Sequence, residues 1–186
     1  MSLMHFTPSN HPQQMQEGNG DADKDERYTP PVMIAALHKR WGFTIDVAAT
    51  PATPSARLIG RHWAKADDGL SRPWSGERVW CNPPFSSLAP WIEKAWASSA
   101  VVVMLIPANR TEQPFWQEMI EPYRDKGGPL HTEFIAGRTQ FGTPESPDGA
   151  DWNSSPPFGC VLLQWVNADR DGPLCYRPPQ LELIHR

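Results

Sequence analysis

The sequence is short of most of the features that would place it quickly. Its 186 residues hold three cysteines, Cys81, Cys160 and Cys175, an odd number with no C-x-x-C spacing. That argues against a disulfide framework and a cysteine-based zinc site, and for a reducing compartment. The six histidines show no ligand spacing, so no metal is expected. No run approaches the ~20 apolar residues that span a bilayer, and the polar N-terminus has no signal-peptide core. A cytoplasmic protein without a membrane partner is the expectation. Internal repeats are missing, and so is any excess of positive charge, the formal net charge being −4.

What is present is the composition of a soluble globular chain, 39% hydrophobic and 20% charged, long enough for one self-supporting core. Charge is unevenly spread. Residues 39–110 carry nine Lys/Arg against five acids. Such a stretch could face phosphates, although charge alone is equally met by an ordinary surface. Residues 1–26 are polar and aperiodic and read as a disordered lead, leaving 27–186 as the folded domain.

Order should begin at Thr29-Pro30-Pro31, with Thr29 capping a helix and Pro30 in its first turn. Val32, Ile34, Ala36, Leu37 and Trp41 give that helix its apolar pattern, and Gly42 ends it. Residues 43–47 and 78–81 read as strands, 88–99 as a helix. Residues 101–106 form a continuous apolar run, as in a central strand buried on both faces. A helix over 111–123 comes next, then strands over 132–135 and 160–166; residues 50–60, rich in Pro, Thr and Ser, resist assignment. Alternating strands and helices, closed by two strands with no helix between them, predict a doubly wound α/β sheet with a terminal hairpin.

The strongest chemical signal is Asn82-Pro83-Pro84-Phe85, directly after a strand. Ligands of open α/β sheets bind outside the carboxyl ends of the strands. An exocyclic amine on an aromatic ring is a poor nucleophile, because its lone pair is delocalised. Two acceptors aimed at its hydrogens, the Asn82 side-chain oxygen and the Pro83 carbonyl, favour the pyramidal geometry that frees the pair. Consecutive prolines hold the carbonyl direction, and Phe85 offers a ring on which an extruded base can stack. Taken alone, the same tetrapeptide is equally a strand-ending turn.

In its ordered features the chain resembles the phage-type DNA N6-adenine methyltransferases from about Glu26 to Val166. The features are Tyr28-Thr29-Pro30-Pro31, Asp46-Val47-Ala48-Ala49-Thr50, Asp68-Gly69-Leu70 with Trp74, Val79 to Phe85, Leu105-Ile106-Pro107-Ala108, Gly137-Arg138 with Phe141, and Pro157-Phe158. The resemblance implies a single Rossmann-like domain, a mostly parallel sheet whose last strand inserts antiparallel. It also implies S-adenosylmethionine as cofactor, double-stranded DNA as partner, a phage or prophage origin, and a place in restriction–modification. A monomer is expected. Thr29 and Pro30 match the segment beside the cofactor's carboxylate, and Asp46 the acid facing its ammonium, with Ala48 in the adjoining loop. Asp67 or Asp68 falls where an acceptor meets the cofactor's adenine amine, and Asp68 is chosen because it belongs to the Asp-Gly-Leu segment. Arg110 and Arg138 are candidates for DNA contact, though a salt bridge would occupy Arg138 as well.

The chain departs from larger methyltransferases in lacking Gly-x-Gly after the first strand. It also has no evident acid for the cofactor's ribose and no separate recognition domain, so the 139–158 loop must share target reading. Two other functions fit the same fold: a DNA-binding protein that has lost the cofactor, and an N-methyltransferase for a different amine or amide.

Overall fold

The computed structural model describes residues 25–98, 100–147 and 157–166. Residues 1–24 of the expected lead (1–26), residues 148–156 of the expected recognition loop (139–158) and everything after 166 lie outside them. Within them the fold is mixed α/β. Helix α1 (Pro31–Trp41) precedes β1 (Ile45–Asp46), and α2 (Pro54–Ile59) precedes β2 (Arg78–Cys81). Then come α3 (Ala89–Ala97), β3 (Val101–Pro107), α4 (Pro114–Met119), β4 (Leu130–Phe134) and β5 (Cys160–Val166).

The five strands form one sheet in the order β1-β2-β3-β5-β4. Neighbours β1, β2 and β3 run parallel, while β5 lies antiparallel to both β3 and β4. The last strand is therefore the inverted one, as expected. Its register with β3 is unbroken from Val101↔Val166 to Pro107↔Cys160. Residues 102–107 and 160–165 are buried throughout, which explains why these strands carry apolar runs rather than alternation.

The polar exception on β5 is closed off locally. Gln164, 2% exposed, donates its amide to Glu133 on β4 (2.8 Å), and the same carboxylate oxygen accepts from Arg40 at 2.7 Å. No helix among the described residues is long and apolar enough to cross a membrane.

Several boundaries differ from expectation for identifiable reasons. The N-cap of α1 is Pro30, not Thr29, and Pro31 fills the first helical position; both prolines suit that turn, and the chain uses the second. Gly42 closes the helix in the left-handed region (φ 60), as expected. Ile34, Leu37 and Trp41 are buried, but Val32 is 83% exposed and belongs to no stripe. Strand β1 is only two residues long, although Thr44 and Val47 also donate to β2 carbonyls on either side of it. Residues 50–60 contain α2, whose start is set by Thr53: its hydroxyl accepts from the Ala56 amide at 3.3 Å. Helix α4 is confined to six residues by Pro114 at its start.

Candidate functional site

Strands β1 and β2 end side by side, and the turns that leave their carboxyl ends line a cavity of about 420 Å³. From β1 come Asp46, Val47 and Ala48, and from β2 come Asn82, Pro84 and Ser86. The segment 25–29 contributes to the wall, as do Trp63, Lys65, Asp68, Gly69 and Trp91. Of the residues singled out from sequence, Thr29, Asp46, Ala48, Asp68, Asn82 and Pro84 meet here. Pro30, Pro83, Phe85, Arg110 and Arg138 do not line this cavity.

Three polar groups in the wall stand out, two of them with a buried atom that has no partner among the described residues. The Thr29 hydroxyl, on a residue 2% exposed, has no hydrogen-bond partner. The shift of the helix cap to Pro30 leaves that hydroxyl unused. Asn82 donates its amide N–H to the Arg27 carbonyl, which fixes the side chain and leaves its Oδ1 buried and unpartnered. Asp46 is 1% exposed, and its Oδ1 accepts from the Ala48 amide at 3.0 Å. Burial lifts its carboxyl to about 6, against the opposing pull of the Ser55 hydroxyl, the Ala48 amide and the His62 charge. A buried donor or acceptor without a partner costs ~1–3 kcal/mol, so the Thr29 hydroxyl and the Asn82 Oδ1 are the atoms of this wall with capacity for a ligand.

The rim is set by backbone. Gly69 presses on the end of β1 so closely that a Cβ there would lie 2.1 Å from the Val47 carbonyl oxygen. The Trp74 indole donates to the Gly69 carbonyl at 2.8 Å and pins the same loop. The choice between the two adjacent acids comes from their surroundings. Asp67 is committed to its own turn, accepting from the Ala64 amide at 2.9 Å and lying 3.7 Å from Arg72. Asp68, left-handed at φ 50 and exposed, is the one on the cavity wall.

A second group of residues stands behind Asn82. The Phe85 ring is 4% exposed and lies edge-on to Phe141 (5.7 Å) and Phe158 (6.1 Å). The expectation of an open ring face at Phe85 therefore meets a covered one. The Arg27 guanidinium sits 5.8 Å from both the Phe85 and Phe158 centroids. Arg110 donates to the Phe85 carbonyl at 2.6 Å, while Arg138 is exposed on the surface. The Pro83 carbonyl is claimed by no hydrogen bond among the described residues.

Sequence reasoning passed over the segment before Thr29. Asp25 accepts from the Ser86 amide at 3.1 Å and from its hydroxyl, and Tyr28 pairs with Gly142 through two backbone hydrogen bonds. Residues 25 and 26 are thus part of the wall, two positions earlier than the expected start of the domain. Trp63 and Trp91, to which sequence reasoning assigned no role, also line the cavity. The basic stretch 39–110 is spent largely on local contacts: Arg40 with Glu133, Arg61 with Glu77, Arg72 with Asp67, and Arg78 with the Trp41 carbonyl.

Two cysteines are described, and neither is poised to react. Burial and the nearby Asp46 charge push the Cys81 thiol well above its ordinary range, and burial likewise raises Cys160.

Residues 17–166 match the family model described as DNA N-6-adenine-methyltransferase (Dam). No curated protein matches the chain.

Proposed function

The chain belongs to the DNA N-6-adenine-methyltransferase (Dam) family, and from that premise we propose that it moves a methyl group from S-adenosylmethionine to N6 of an adenine turned out of duplex DNA. The observation that carries this reading is the trio of Thr29, Asp46 and Asn82, which line one cavity with an idle buried hydroxyl, a buried acid and an idle amide oxygen. The reading treats residues from about 27 onward as one Rossmann-like methyltransferase domain.

The cavity residues fit the proposed cofactor in their chemistry. Thr29 can donate to a carboxylate, and the buried Asp46 carboxylate suits an ammonium. Asp68 can accept from the adenine amine, beside the indoles of Trp63 and Trp91. When bound, the cofactor supplies an electrophilic methyl group on a sulfonium.

The rest is positioning by the chain itself. The Arg27 carbonyl holds the Asn82 amide so that Oδ1 remains available, and the Pro83 carbonyl is a second free acceptor. Together they can take the two hydrogens of an exocyclic amine and expose its lone pair. Pro83 and Pro84 stiffen the turn that aims them. The proton lost from N6 passes to water, and with both described thiols held protonated no covalent enzyme intermediate is called upon.

Two measurements test the proposal. Calorimetric titration with S-adenosylmethionine should give a one-site isotherm, and its absence would leave a DNA-binding protein without the cofactor. Incubation of the protein and labelled cofactor with duplex DNA, RNA and glutamine peptides should label adenine N6 in the duplex. Label confined to cytosine, RNA or peptide would transfer the same chemistry to another acceptor.

A further inference from the structure

Arg27 is an unusual arginine. Its Nε is buried and has no hydrogen-bond partner, and no carboxylate among the described residues pairs with it. The nearest acid, Asp25, is already engaged by the Ser86 amide and hydroxyl. Burial is the main cause that holds the guanidinium below its ordinary pKa; Asp25 and Cys160 pull the other way, and the Arg110 charge adds a smaller push. A half-buried cation with a donor idle is costly unless an acceptor arrives.

Its position says which acceptor. The Arg27 carbonyl is the atom that orients Asn82, and its side chain lies over Phe85, three residues further along the same turn. The residue also lines the cavity. Arg27 thus stands at the junction between the free acceptors and the aromatic cluster, where a base turned toward Asn82 would have to pass.

We propose that Arg27 is a substrate-contacting residue, covering the Phe85 and Phe158 rings in the free protein and giving its Nε–H to an acceptor on the extruded nucleotide. This rests on the function proposed above. A planar cation suits both duties, since it lies against an aromatic face and presents donors in a fixed fork. The acceptor is a ring nitrogen of the base or an oxygen of the adjoining phosphate; both are fixed acceptors of that one nucleotide.

The test uses the full chain and two variants. Arg27→Met keeps an apolar stem over the rings, Arg27→Gln keeps a polar tip, and both leave the backbone carbonyl on Asn82 in place. Each is expected to lower kcat/KM on duplex DNA about ten- to a hundred-fold, as the loss of a hydrogen bond from a charged donor does. Any loss of cofactor affinity by calorimetry should be much smaller than the loss of turnover. If the partner is a phosphate, the salt slope of DNA binding should fall by about one. If it is a ring nitrogen, the slope should hold, and one deaza-adenine substrate should reduce the wild type to the level of the variants.

A folded variant that turns over DNA within twofold of wild type overturns the proposal, as does a loss of cofactor binding equal to the loss of turnover. Should one variant fail to fold, the other is read by the same criteria. A wild-type protein that methylates no DNA overturns the function itself, whatever the variants do.

Discussion

The molecule holds two largely buried polar trios, and they differ in how their members are partnered. On the inverted half of the sheet, Gln164, Glu133 and Arg40 meet at one carboxylate oxygen. At the carboxyl ends of the parallel strands, Thr29, Asp46 and Asn82 share a cavity with a hydroxyl and an amide oxygen left idle. Each trio pairs an amide with a carboxylate, so side-chain chemistry does not separate them. Partnering does: the first trio meets at one carboxylate oxygen, while in the second the Thr29 hydroxyl and the Asn82 Oδ1 have no partner among the described residues. On the function proposed above, a ligand supplies it.

That contrast is sharpest where a single change removes one member. Glu133→Ala should cost ~3 kcal/mol of stability, because Arg40, 5% exposed, loses a carboxylate 2.7 Å away. Urea denaturation measures this, and cofactor affinity of the folded protein should be unaltered. The reverse pattern is expected of Asn82→Ala: a loss of about 100-fold in methyl transfer, or ~2.7 kcal/mol, with ~1 kcal/mol or less in stability. If turnover stays within a few-fold of wild type, Asn82 has no part in the chemistry.

Asp46 comes next. Its folded pKa of about 6 lies above the ~3.9 of an unfolded aspartate, so the native state binds the proton more readily. The ligand-free protein should therefore lose stability as pH rises from about 4 through 6, then level off. A cation in the cavity favours the ionised form, so S-adenosylmethionine should bind more tightly as pH rises through the same window. Asp46→Asn should erase both trends and weaken the cofactor at pH 7.5 about tenfold, or ~1.4 kcal/mol. Titrations at pH 5, 6 and 7.5 decide it.

Phe85 is the residue most able to break the comparison, since it packs in the core beside Asn82 and the sequence reading also assigns it a role in stacking the base. Phe85→Leu keeps an apolar side chain but not the ring, and should cost ~1 kcal/mol in turnover on matched duplex. A mismatch opposite the target adenine lowers the cost of extrusion and should restore part of that loss. Equal impairment on both duplexes would make Phe85 a core residue only.

Much of the fold is legible in the amino-acid order, and the remainder is hidden for physical reasons. Strands β2 and β5 fall where apolar runs put them, and β3 extends its run by one residue, because burial on both faces leaves no room for polar side chains. Asp46 stands out as a lone carboxylate in such a run. Arg27 gives no signal, since an arginine in a polar stretch has no period and its partner rings lie 58 and 131 positions away. Helix α2 is masked by Pro, Thr and Ser, the residues that also begin helices. The cover over Phe85 depends on Phe141 and Phe158, which only the sheet's closure brings near.

The inverted last strand has a consequence for how the protein is made. Strands β3 and β4 are not neighbours; β5 lies between them and bonds to both. Until residues 160–166 emerge from the ribosome, β3 has a bare apolar edge and β4 has no place in the sheet. Such an edge is a template for pairing with other chains. Synthesis halted before residue 160 should thus yield a sticky fragment, and rapid completion of the final strand protects the nascent enzyme from its own half-built sheet.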